Sequence, residues 1–306
     1  MLKFLQIYLT AERDCNNLLY TLHSANAVVG GGCKLKQRLR ATFMSDRAST
    51  WALVAWTTLT FLFLYLPLAV LAVFSFASNS VSVLPLHHFT LEWYRQALAN
   101  TAVLVAARNS LFVALGAVTI ATVVGVPGAI LVDRHNFPGR RIFQKFVLLP
   151  LILPGVITGV AFQTFFQMIG IERSLITVTL AHGTALVSTV LTTVYARLLR
   201  LERSPEHASA DLGVPPLRTF FYVTLPSIQT AIIAAGLLAF TLSFDEIPVT
   251  IFTIGASNTL PMYIWSSLRT GAQLPQLNAI ATMVAVAGGI VVIVFARLIS
   301  RDDRQS

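Results

Sequence analysis

Charge is what this chain has least of. Asp, Glu, Lys and Arg make up 11% of 306 residues against 55% hydrophobic ones, and the mean hydropathy is +0.72. So few polar groups cannot cover a soluble globule of this length, which leaves an integral membrane protein. Thiols are scarcer still. The 2 cysteines, Cys15 and Cys33, both precede the first long apolar run. A disulfide, a thiolate metal site or a cysteine nucleophile is therefore excluded from residues 44–306. A nucleotide-binding loop is missing too, because Gly32-Cys33-Lys34-Leu35 lacks the hydroxyl residue that G-x-x-x-x-G-K-[ST] demands. The chain is expected to hydrolyse no ATP and to carry no cofactor of its own. Acidic residues are the rarer charge, giving a net +9, but the basic residues sit beside apolar runs and are not interleaved with exposed aromatics. They read as topology signals, and no nucleic-acid partner is expected.

Long apolar runs are what the chain does have. Six stretches, at about 51–77, 110–132, 146–169, 175–197, 228–250 and 279–299, approach or exceed the roughly 20 residues needed to cross a bilayer. Of the 22 Lys and Arg residues, eighteen fall in the segments on one side of this zigzag and four, Arg95, Arg108, Arg173 and Arg269, on the other. Positive residues stay cytoplasmic, so both termini and the polar insert at 204–226 are expected there. Residues 1–43 show no sustained period and read as a disordered cytoplasmic tail. Their first apolar run is too short, and too poorly flanked, for a signal peptide. Met44 opens a short basic-flanked lead into the first span, so the tail is expected to be dispensable and Met44 is an alternative start. The folded transmembrane domain is then 44–306.

The insert SPEHASADLGVPPLRTFFYVTLP carries helix punctuation. Ser204 suits an N-cap, Pro205 the first helical position, Glu206 the positive helix end, and Gly213 a left-handed closing residue. A second short helix is expected from Pro216, halted by Pro226. Gly213, then Val223, then Leu225-Pro226 reproduce the G-x9-I-x-L-P frame of the cytoplasmic loop of ABC-importer permeases, their EAA motif. The chain resembles that family here, with a departure: His207-Ala208-Ser209 stands where the family has E-A-A, ahead of Ala210-Asp211-Leu212-Gly213, and Glu206 lies one place early. The resemblance implies a coupling helix that docks on a separate ATPase, through Glu206, His207, Ala208, Ser209, Asp211, Gly213, Leu225 and Pro226.

The fifth run ends in Asp245, Glu246 and Pro248. An ionisable residue inside a span costs about 2.5–3.5 kcal/mol on insertion scales, so the pair either contacts a cation in a water-filled path or marks the end of the span. Asp245 is the choice for the path and Glu246 for capping or pairing with a neighbour. In the third run Gly155 and Gly159 form a packing face. His182 in the fourth reads as a neutral side chain bonded to a neighbouring helix, and His87 and His88 have no third ligand nearby to make a metal site.

FTLSFDEIPVTIFTIG, the following Ser257-Asn258-Thr259-Leu260-Pro261-Met262-Tyr263-Ile264, and Leu277-Asn278-Ala279-Ile280-Ala281-Thr282 look like permeases of spermidine/putrescine-type importers. That likeness, running from about Met44 to the C-terminus, implies an all-α membrane protein of six transmembrane helices with a MetI-like core. It also implies two copies of a cytoplasmic ABC ATPase that binds the ATP, a second permease subunit, an extracytoplasmic substrate-binding protein and the bacterial inner membrane as location. Related permeases handle polyamines, opines, phosphonates and ferric iron. An ion- or proton-coupled secondary transporter is the alternative, but no repeat relates the first three spans to the last three. A membrane enzyme would need a clustered nucleophile and base, which the spans do not offer.

Overall fold

The computed structural model describes residues 47–78, 88–270 and 274–302; the expectations for the tail 1–43, for Cys15 and Cys33 and for His87 lie outside them. All regular structure among the described residues is helical, apart from an isolated bridge between Ala77 and Phe89. The chain divides into two units, Met1–Ala69 and Val70–Ser306.

The first unit holds most of α1 (Arg47–Phe74), long and apolar enough to cross a membrane. Within it Phe61 and Tyr65 stack one turn apart, with centroids 6.2 Å from each other.

The second unit begins with the end of α1 and the short α2 (Glu92–Ala99). The indole of buried Trp93 donates to Ala77 O at 2.6 Å, and the Tyr94 and Ser75 hydroxyls bond at 2.6 Å, so these aromatics fasten α2 to the segment before it. Glu92 accepts from Arg95 and Gln96, and the Arg95 hydrogen bond holds its carboxyl below the ordinary carboxylate value.

The core is built from α3 (Thr101–Arg134), α6 (Leu175–Leu198) and α9 (Leu225–Phe244). Ala117, Ala121 and Ala129 of α3 and Ala235 and Ala239 of α9 face Leu186, Val190, Leu191 and Val194 of α6. Small residues on two helices admit the branched side chains of the third, and backbones approach closely. A Cβ at Gly125 would lie 3.0 Å from Val190 and 3.2 Å from the Leu191 amide nitrogen.

Between α3 and α6 the chain forms α4 (Arg140–Ile152) and α5 (Gly155–Met168), bent at 107° across Leu153 and Pro154. The third run is thus a broken pair, because Pro154 cannot continue the i→i−4 ladder of α4. Counting it as one span gives six candidates with α1, α3, α6, the run 216–244 and α12 (Leu274–Asp302).

The insert holds α7 (Ser204–Asp211) and α8 (Pro216–Thr219), followed by a π-helical turn (Phe220–Thr224). Pro226 does not halt this second helix as the sequence predicts. The π turn, with the Leu225 amide bonded to Phe220 O, widens the ladder ahead of a proline that lacks an N–H, and α9 continues from it. The fifth run therefore begins at Pro216 and ends at Phe244, short of the predicted 250. α10 (Pro248–Thr253) and α11 (Leu260–Arg269) precede α12.

Candidate functional site

At the insert, Arg203 precedes α7 in helical conformation, and Ser204 is the first helical residue with no capping bond from a side chain. The predicted Ser204 cap does not form; Arg203 takes the N-cap position, and its side chain reaches back to α3, donating to Asp133 O at 3.1 Å and to Asp133 Oδ2 at 3.2 Å. That carbonyl belongs to the last turn of α3, where intrahelical partners run out. At the other end Gly213 takes φ +74°, its amide bonds Ala210 O at 2.9 Å and the Val214 amide bonds Ser209 O at 3.1 Å. These two bonds form a Schellman cap, which the sequence predicts at this glycine.

The two sides of α7 do different things. His207, Ala208 and Asp211 are exposed, as are Leu212, Leu217, Phe221 and Tyr222, with Leu212 at 83% and Tyr222 at 80%. Glu206 and Ser209 turn inward instead. Glu206 Oε1 accepts from Arg134 Nη2 at 2.5 Å and from the Thr224 hydroxyl at 2.8 Å, and Ser209 bonds the Thr219 hydroxyl at 2.9 Å. Leu225 is half-buried and Pro226 exposed in the first turn of α9. Sequence reasoning did not single out Asp133 or Thr224, and it counted Arg134 and Arg203 for topology alone. Apart from the adjacent Asp133 and Arg134, the partners lie 18 to 72 residues apart, beyond any local period.

A second constellation surrounds the break between α9 and α10. Asp245 closes α9 and is exposed; Glu246 is half-buried, and its Oε1 accepts from the Val249 amide at 3.1 Å in the first turn of α10. Pro248, which lacks the amide that α9 would need, sets the break. Gly155 and Gly159 of α5 pack against this elbow: a Cβ at Gly155 would meet Pro248 Cβ at 2.9 Å, and one at Gly159 would meet Pro248 O at 2.9 Å. Buried His182 of α6 bonds Ser243 with Nδ1 and Thr250 with Nε2, both at 3.0 Å, spanning the break from one side to the other. His88 is exposed, and no cluster of three His, Cys, Asp or Glu able to hold a metal occurs among the described residues.

Residues 125–304 match the family model for the inner membrane component of binding-protein-dependent transport systems. The chain belongs to that family. Its relatives include the putrescine transport system permease protein PotI of Escherichia coli K12, 37% identical over 265 residues, 84% of this chain and 93% of the relative. The spermidine/putrescine transport system permease protein PotC of the same organism is 30% identical over 246 residues, 80% of this chain and 92% of the relative. In fold the chain is similar to a bacterial alginate ABC transporter solved in complex with a periplasmic protein bound to an alginate pentasaccharide. The TM-score is 0.66 at 15% identity, over 86% of this chain and 98% of that one. As a member of this family the chain is a transport subunit and not an enzyme.

Proposed function

We propose that the chain is the permease subunit of an ATP-driven, binding-protein-dependent importer that carries putrescine or a related polyamine across the bacterial inner membrane. The observation that carries this reading is the 37% identity, over 84% of this chain and 93% of the relative, to a putrescine permease. A cytoplasmic ATPase, in two copies, binds the ATP and docks on the outward face of α7 and α8 at His207, Ala208, Asp211, Leu212 and Leu217. A second permease subunit completes the membrane assembly, and an extracytoplasmic binding protein delivers the substrate. Both termini lie in the cytoplasm in this reading, which the eighteen basic residues on that side support. The carboxylates Asp245 and Glu246 then lie at the outer end of α9, where negative potential attracts an ammonium group.

The test is uptake of labelled putrescine into vesicles holding the assembled complex, with ATP inside and the binding protein outside. Uptake that needs both, and that excess opine, phosphonate or ferric iron does not reduce, is the expected result. Uptake that persists without ATP and collapses when the ion gradient is dissipated would establish a secondary transporter instead.

A further inference from the structure

Glu206 stands beside the residues of the docking face but is turned away from it. We infer that Glu206 is an internal strut: with Arg134, Asp133, Arg203 and Thr224 it ties the insert to spans α3 and α9, so that displacement of the insert by its partner reaches both. The inference rests on the permease reading, since it concerns how a docked ATPase moves the membrane helices.

The geometry is that of a closed network. Asp133 Oδ2 accepts from Arg203 Nη2 at 3.2 Å and lies 3.1 Å from Arg134 Nη1 as an ion pair without a hydrogen bond, while Arg134 donates its other nitrogen to Glu206. Glu206 also accepts from Thr224, the residue on which the π turn hands over to α9. Two carboxylates and two guanidinium groups balance in charge. The Asp133 side chain is 3% exposed, that of Arg134 15% and that of Glu206 22%. At this burial solvent screens the pairs less than at an open surface, and losing one partner leaves an uncompensated charge. Glu206 Oε1 already takes two donors inside the subunit, whereas the side chain of His207 beside it is exposed on the outer face. The strut bypasses the backbone route. Chain continuity between α7 and α9 passes through the Gly213 turn, α8 and the π turn, and the chain joining α7 to α3 is longer still. The Glu206 bridge joins α7 directly to the last turn of α3 and to Thr224, the N-cap residue of α9.

The experiment compares Glu206→Gln, Arg134→Gln and the double variant in the complex reconstituted with its ATPase and binding protein. ATPase copurification, ATP hydrolysis and uptake are measured together. Each single variant is expected to retain copurification and to lose about tenfold in substrate imported per ATP hydrolysed, while the double variant, with no charge left unpaired between these positions, recovers above both. Additive losses, or loss of ATPase copurification by Glu206→Gln, would overturn the strut and make Glu206 a docking residue. If Glu206→Gln fails to assemble, Thr224→Val carries the same test by removing one hydrogen bond and no charge. Reduced uptake per ATP with full copurification supports the strut; parental coupling overturns it. A parental chain that captures no ATPase overturns the permease reading itself, and this inference with it.

Discussion

The hydroxyl of Thr250 gives its one proton to the carbonyl oxygen of Glu246, 2.6 Å away, so the bond it shares with His182 Nε2 has the imidazole as donor. Nδ1 is then the acceptor, and the Ser243 hydroxyl 3.0 Å from it is the donor. A neutral imidazole is satisfied on both nitrogens in a site where His182 is 3% exposed. The arrangement holds α6 to the last turn of α9 and to α10 at once, and so fixes the elbow between them.

Replacing His182 by Phe keeps a ring of similar size and removes both bonds. Leaving buried hydroxyls without their partner costs about 1–3 kcal/mol each. Thr250 retains Glu246 O, so the total loss is expected near 2 kcal/mol, read as a lower thermal unfolding midpoint of the purified complex. Ser243→Ala in the His182→Phe background is expected to cost little more, because the bond it deletes is already gone. A fully additive loss would show that the two side chains are not coupled.

The spans and the glycine turn were legible because each depends on local composition. Apolar runs mark the helices, and a capping glycine between a polar helix and Pro215-Pro216 marks α7's end. What was not legible depends on partners far along the chain. Ser204 has the residue type of an N-cap, yet Arg203 takes a helical conformation to reach Asp133, 70 residues away. Pro226 has the residue type of a helix stop, yet the π turn absorbs its missing amide. The fifth run seemed to begin at Ile228 because Arg218 and Pro226 interrupt its hydropathy; the helical path from Pro216 to Phe244 is 29 residues, about 43 Å at 1.5 Å per residue.

Close approach of α5 to the elbow makes Gly159 intolerant of a side chain. A Cβ there would lie 2.8 Å from Phe252, 2.9 Å from Pro248 O and 3.1 Å from Val249 Cα, and two of these three atoms are backbone. Gly159→Ala is expected to destabilise by about 1–3 kcal/mol through overpacking. The control is Gly236→Ala, whose added Cβ meets Val118 at 3.7 Å, an ordinary contact. Removing a glycine from the helix interior should stabilise α9 there by up to about 1 kcal/mol. Thermal unfolding of the two purified variants checks the contrast, and equal effects would reject it.

Gly213 poses the opposite case, since nothing lies within 4 Å of an added Cβ and φ is +74°. The cost of Gly213→Val is then conformational alone, about 1–2 kcal/mol, and Gly213→Asn should restore most of it. The Schellman bonds hold Leu212 on the exposed face, so Gly213→Val is expected to insert normally but to copurify poorly with the ATPase. His207→Glu, which restores the family residue on that face, is expected to be tolerated. Copurification and uptake by Gly213→Val at the parental level would reject the role of this turn.

Asp245 and Glu246 are adjacent but not equivalent. Glu246 Oε1 is engaged by the Val249 amide at the start of α10, and a Cβ at Gly155 would lie 3.3 Å from it. Gln at this position keeps a carbonyl acceptor for the same amide, so Glu246→Gln should preserve the elbow and lower uptake by less than about threefold, less than one missing hydrogen bond would. Asp245 is exposed at the end of α9. In the proposed path role its carboxylate attracts the cationic substrate, and Asp245→Asn removes the charge while keeping the shape. Uptake of putrescine by Asp245→Asn is expected to fall about tenfold, mainly through a weaker apparent affinity, and to become less sensitive to ionic strength than the parent. The measurement is initial uptake at several putrescine and salt concentrations, in vesicles containing equal amounts of assembled complex. Parental kinetics in both variants would reduce the two carboxylates to markers of the membrane boundary.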